Sequence, residues 1–223
     1  MEAVTMRPAQ APGRPGRLAD DFFLMAHDET SGKPRLPERI AGLGLAAALL
    51  GELALSGRVE PRDGTVAVLD AAACGDELAG RMLEFLKQEQ HPTRTWLAFF
   101  GGSAHEEVGL RMVGDGLLVR ASRRRPWQAG RWVPAAAGVA ARPTALLCTA
   151  LIRGQRLDER SLLLLGLLRA TGLDQPVLWE VRQSEPHALR RIDGALALLR
   201  PPLAELTGQT EAAVGNAIAT RRF

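Results

Sequence analysis

The sequence predicts a mainly α fold, and three observations carry that prediction. About eight segments show helical periodicity or helix caps, and only two places read as β-hairpins. Strands and helices never alternate in the way a parallel sheet requires. With 223 residues, 46% hydrophobic and 24% charged, the chain can bury a sizeable core and falls outside the disordered, collagen-like and coiled-coil classes. Cys74 and Cys148 are too few for a disulfide framework, so a reducing, cytoplasmic setting is expected. Lys and Arg number 28 against 25 Asp and Glu, and only Lys33 and Lys87 are lysines. With so much Ala, Gly and Leu, that usage reads as the coding bias of a GC-rich bacterial genome. There is no tyrosine and only 4% aromatic residues, which argues against stacking-based binding of single-stranded nucleic acid.

The elements follow in order. Residues 1–17 hold three prolines, two glycines and three arginines with no apolar run, which predicts a disordered basic arm without a signal-peptide core. Residues 18–223 are expected to form one domain. A first helix spans 18–29, followed by a Ser31-Gly32 turn and a loop to Pro37. The segment 38–55 has Ala, Gly and Leu on nearly every side, as a helix at the centre of a domain does. Its apolar run from Ile40 to Leu55 is interrupted by Glu52 and is shorter than the roughly 20 residues of a membrane span.

Asp63-Gly64 between two short β-like pieces predicts a hairpin. Leu78, Met82, Phe85 and Leu86 give 76–89 one apolar side. After residues 93–100, Ser103 followed by Glu106 has the form of a capping box, which predicts a helix over 103–115. LLVRAS and RWVP flank the turn RRRPWQAG and predict a second hairpin. Helices are expected over 142–153, over 159–170 between Asp158 and Gly172, and over 186–199 from Ser184 or Glu185. Pro201-Pro202 then breaks the pattern, and 209–221 forms a last helix.

Sites of chemistry are scarce. Gly42 to Ala47 fits G-x-G-x-x-A, but no strand precedes it, so close helix packing is the better account. Ser103 and His105 beside Gly101-Gly102 lack a nucleophile's base and orienting acid. His105-Glu106-Glu107 opens like a zinc motif, but Gly109 stands where the second histidine belongs. His27, His91 and His187 have no ligand-spaced companions, and Cys74 and Cys148 read as packing residues. A non-enzymatic chain without metal or cofactor is expected.

The strongest feature is basic. Arg120, Arg123, Arg124, Arg125 and Arg131 cluster with Trp127 and Trp132 around the second hairpin. Such a cluster suits phosphates, and Trp127 suits a membrane interface. Lys33, Arg35 and Arg39 supply further charge near the start of the central helix.

The order of these motifs resembles the Golgi phosphoprotein 3 family, which includes many bacterial, especially actinobacterial, relatives. The resemblance rests on LADDFFLMAHDETSGKP, on LGLAAALLGELALSGRVEPRDGTVAVLD, and on LRMVGDGLLV before the arginine-rich hairpin. Its most specific piece is the segment from Glu52 to Arg58. The resemblance implies amphipathic helices around a central apolar helix, and a cytosolic protein that binds phosphatidylinositol 4-phosphate at a membrane. Lipid-binding members carry a tryptophan before the central helix, an arginine on it, and two arginines before the second hairpin. Counting without gaps, this sequence has Pro37, Ala46, Gly102 and His105 there.

The reading is therefore a peripheral protein on the inner face of the cell membrane, meeting anionic lipids through Arg123, Arg124, Arg125, Trp127 and Arg131. Lys33, Arg35 and Arg39 are secondary contacts, and membrane proteins are further candidate partners. The rivals are a winged-helix nucleic-acid binder, with the arginine turn as wing tip, and a protein-interaction scaffold. Glu106 and Glu107 on the would-be recognition helix disfavour nucleic acid.

Overall fold

Helix α2 (Glu38–Leu55) forms the axis of the molecule, and every residue from Ala41 to Gly51 is buried. A helix with no polar side has nowhere to go but the core. In a computed structural model that describes residues 16–29, 31–72, 74–121, 131–136, 138–184 and 187–220, four helices surround it. These are α1 (Leu18–Met25), α4 (Thr93–Gly114), α6 (Glu159–Thr171) and α10 (Pro201–Ala219). Ten helices and two antiparallel hairpins make the described residues mainly α, as the sequence predicts.

Several boundaries differ from expectation. First, α4 is one helix from Thr93 and not a segment capped at Ser103, which is exposed within it. Gly101 does not break α4, because it is the contact point with α2: a Cβ on Gly42 would lie 2.2 Å from the Gly101 carbonyl oxygen. The G-x-G-x-x-A pattern is thus a helix-packing surface.

Second, Pro201 and Pro202 open α10 where the sequence reading placed a break. Proline at the first helical positions gives up no hydrogen bond, since those N–H groups have no intrahelical partner. Third, the helix expected over 186–199 is the shorter α9 (Ala188–Leu196), and two short helices that the sequence reading did not place, α7 (Asp174–Val177) and α8 (Trp179–Ser184), precede it.

Other elements fall where the sequence puts them, except that α1 stops four residues short of the expected 18–29. Asp158 caps α6 by accepting from the Ser161 N–H at 2.8 Å, and Gly172 ends it in the left-handed conformation (φ 78°). α3 (Glu77–Gln88) is capped by Asp76, and α5 (Arg142–Ile152) buries Leu147, Cys148 and Leu151. In the β1–β2 hairpin (Val59–Arg62, Thr65–Val68), Asp63 and Gly64 both have positive φ, as a type I′ turn requires. α1 ends at Met25 because the chain then closes a tight loop, with the Asp28 N–H donating to the Lys33 carbonyl at 2.8 Å. β3 (Leu118–Ala121) pairs with β4 (Arg131–Pro134), Val119 opposite Val133.

Candidate membrane-facing site

The root of the β3–β4 hairpin has two unlike faces. Leu118 and Trp132 are buried, and the Trp132 indole meets the Phe23 ring edge-on, with centroids 6.3 Å apart. A Cβ on Gly109 would come within 2.7 Å of that indole, so α4 is shaped to receive it. Trp132 is therefore a core residue, which corrects its grouping with the surface arginines. Arg120 lies 5.2 Å from the centre of the Trp132 ring and pairs with Glu106 at 2.8 Å. On the other face, Val119 and Val133 stand side by side at 53% and 37% exposure. Arg131 pairs with Ala121 in the ladder. Arg123, Arg124, Arg125 and Trp127 lie outside the described residues.

The secondary basic positions do not form one patch. Lys33 is exposed in the loop after α1. Arg35, in the same loop, donates from Nε to the His27 carbonyl at 3.0 Å and approaches Asp28 at 3.5 Å. Arg39 faces elsewhere, donating to the Thr220 hydroxyl beyond α10 at 3.3 Å.

Two half-buried histidines, 78 positions apart in the chain, meet beside this loop. His27 Nδ1 lies 2.7 Å from the Phe23 carbonyl, which only accepts, so His27 carries its proton on Nδ1. Its bare Nε2 then accepts from His105 Nε2 at 3.3 Å. Both rings stack on Phe23, at centroid distances of 4.5 and 5.0 Å. Burial lowers both from the ordinary imidazole value; the Phe23 carbonyl pulls His27 back up while the neighbouring His105 and Arg35 lower it, and Glu38 and Glu106 pull His105 back up. Nothing in the sequence announces this pair, because only the α1–α4 packing brings it together.

Charge inside the molecule serves architecture. Arg111 is nearly buried among Asp20 (2.7 Å), Asp76 (3.2 Å) and Glu52 (3.3 Å). Arg17 adds a second cation, bridging Asp20, Asp76 and Asp115. Carboxylates outnumber guanidiniums in this cluster. Burial pushes the Glu52 carboxyl above its usual value against the opposing pull of Arg111, whereas at Asp76 the Ala79 N–H, Arg111 and Arg17 outweigh burial and hold it below. Glu52 also accepts the Ala19 N–H at 2.8 Å, satisfying a backbone donor in the first turn of α1.

The segment that carries Glu52 continues in the same role. Leu53 and Ala54 are buried, Gly57 turns the chain at φ 70°, and Arg58 binds Asp70 at 2.5 Å. The model of the family described as Golgi phosphoprotein 3 (GPP34) matches residues 18–214, which includes this segment and every helix but the end of α10. The chain belongs to the Golgi phosphoprotein 3 family. No curated protein matches it.

Within this Golgi phosphoprotein 3 fold, the four positions that the sequence resemblance sets against headgroup residues, counted without gaps, can be placed. Pro37 and Gly102 are exposed, His105 is half-buried, and Ala46 is fully enclosed at 0% exposure. A long cation at position 46 would have to displace core. No described helix is long and apolar enough to cross a membrane. Among the described residues, no group of three or more His, Cys, Asp or Glu could hold a metal ion.

Proposed function

We propose that this chain is a non-enzymatic peripheral membrane protein that binds anionic phospholipid headgroups on the cytoplasmic face of a cell membrane. The observation that carries the reading is the exposed Val119–Val133 pair at the root of a hairpin whose turn is S-R-R-R-P-W-Q-A-G. Apolar side chains followed by Arg123, Arg124, Arg125 and Trp127 make a sequence of contacts suited to acyl chains, interface and phosphate. Membership of the Golgi phosphoprotein 3 family supports lipid binding in general, including phosphatidylinositol 4-phosphate. With Pro37, Ala46 and Gly102 in place of the family's headgroup residues, recognition here follows surface charge more than inositol phosphorylation.

Co-sedimentation with phosphatidylglycerol, cardiolipin and phosphatidylinositol 4-phosphate vesicles of equal charge tests this. Comparable binding to all three is expected. A tenfold preference for the phosphoinositide, about 1.4 kcal/mol, would restore a stereospecific pocket. A DNA mobility shift beside it tests the winged-helix rival. Against that rival, α4 buries one side on α2, and Glu106 on its exposed side is paired to Arg120.

A further inference from the structure

We propose that the His27–His105 pair takes up one proton at an anionic membrane, so that acidity tightens the attachment. This rests on the membrane reading above and concerns its regulation.

The geometry fixes how many protons the contact can hold. His27 holds Nδ1–H against the Phe23 carbonyl and offers Nε2 to the Nε2–H of His105. A proton added to His27 at Nε2 can be held only if His105 moves its own proton to Nδ1 and accepts, so the two one-proton forms differ by the position of one proton between the two Nε2 atoms. A proton added to His105 at Nδ1 keeps its Nε2–H donating, now from a cation, and a charge-assisted bond is stronger than a neutral one. The contact accommodates one added proton, and the charges around each ring assign it to His105.

The surrounding charges decide which ring carries it. From α2, Glu38 favours the cation on His105, as does Glu106 on α4. From the loop after α1, Arg35 disfavours a cation on His27, and Asp28 lies against Arg35. Trp132 and Pro134 from β4 and Ala140 border the cleft beside His27 and add no charge. In free protein, burial keeps the pair neutral near pH 7. At a leaflet near −30 mV, protons are concentrated roughly threefold and a nearby anion stabilises the imidazolium directly. The added charge lies beside Arg35 in the loop that exposes Lys33, and under the root of the β3–β4 hairpin through Phe23 and Trp132.

The test compares binding to phosphatidylglycerol–phosphatidylcholine vesicles at pH 7.5 and 5.5, at one low ionic strength. The parent is expected to bind about fivefold tighter at the lower pH, the effect of one further cation near the surface. His105→Gln should show no such gain, whereas His91→Gln/His187→Gln should keep it. Equal affinity at both pH values, or a gain that survives in His105→Gln, overturns the proton step and leaves vesicle binding standing. Absence of binding at both pH values overturns the membrane reading, and this regulation with it. Nitrogen NMR of the free protein checks the pair without lipid or mutation. His105 should become imidazolium while His27 keeps Nδ1–H; His27 charging first, or both together, overturns the assignment.

Discussion

Gly42 and Gly101 bring α2 and α4 into backbone contact, so close that a methyl on Gly42 would overlap the Gly101 carbonyl oxygen at 2.2 Å. The clash is with backbone at the centre of the molecule and cannot be relieved by a rotamer change. Gly42→Ala should therefore destabilise the fold by about 3 kcal/mol, the upper range for overpacking, read as a lowered denaturation midpoint. Gly102→Ala, on α4 beside Gly101 with nothing within 4 Å, should be neutral or slightly stabilising.

The buried ion cluster predicts an asymmetry. Arg111→Met leaves Asp20, Glu52 and Asp76 with Arg17 alone and should cost about 3–5 kcal/mol. Glu52→Gln keeps an acceptor for Ala19 and should cost about 1 kcal/mol at neutral pH. Because burial raises the Glu52 carboxyl, the folded state holds its proton more tightly than the unfolded state. The parent's advantage over Glu52→Gln is thus full below 4.5 and declines as pH rises from there through the higher folded value. Urea melts from pH 4 to 8 would show it.

At the hairpin, replacing Arg123, Arg124 and Arg125 together by Ala should weaken vesicle binding about a hundredfold at low salt, roughly 1 kcal/mol for each cation. The deficit should shrink as salt shortens the Debye length from ~30 Å to ~8 Å. Trp127→Ala, and Val119→Ser with Val133→Ser, should weaken binding with little salt dependence, since their contribution is apolar. The valine pair should leave the melting temperature within a few degrees of the parent. A triple-arginine variant that binds vesicles normally but loses DNA would favour the winged-helix rival.

The thiols should separate cleanly. Burial pushes the Cys148 thiol up to about 11, and its Sγ faces the Val177 carbonyl at 3.7 Å, whereas Cys74 is partly exposed. A thiol reagent at pH 8 should label Cys74 quickly and Cys148 only as fast as the protein unfolds. Two fast thiols would mean that the region between α5 and α8 opens readily.

Legibility followed locality. α2, α6 and the Asp63-Gly64 turn could be read because their signals, an all-round apolar run, a cap with a stop, and a turn dipeptide, act over a few residues. α4 could not, because Gly101-Gly102 looks like a break until α2 is placed against it. Pro201-Pro202 is ambiguous for the same reason: proline ends one helix and begins another equally well. Of the candidate site, the β3–β4 pairing was legible, while the place of Trp132 in the core needed Phe23 and Gly109. His27 and His105 carry no mutual signal at all, since their pairing exists only in three dimensions.

The segment from Glu52 to Arg58 joins α1, α2, α4 and the first hairpin through its own side chains. A change there is felt as loss of folding, whereas a change at Pro37 or Gly102, both exposed, is felt only in what the surface meets. Exposed positions such as these can therefore change without cost to the scaffold, whereas Glu52 and Arg58 tie several elements to one another and cannot.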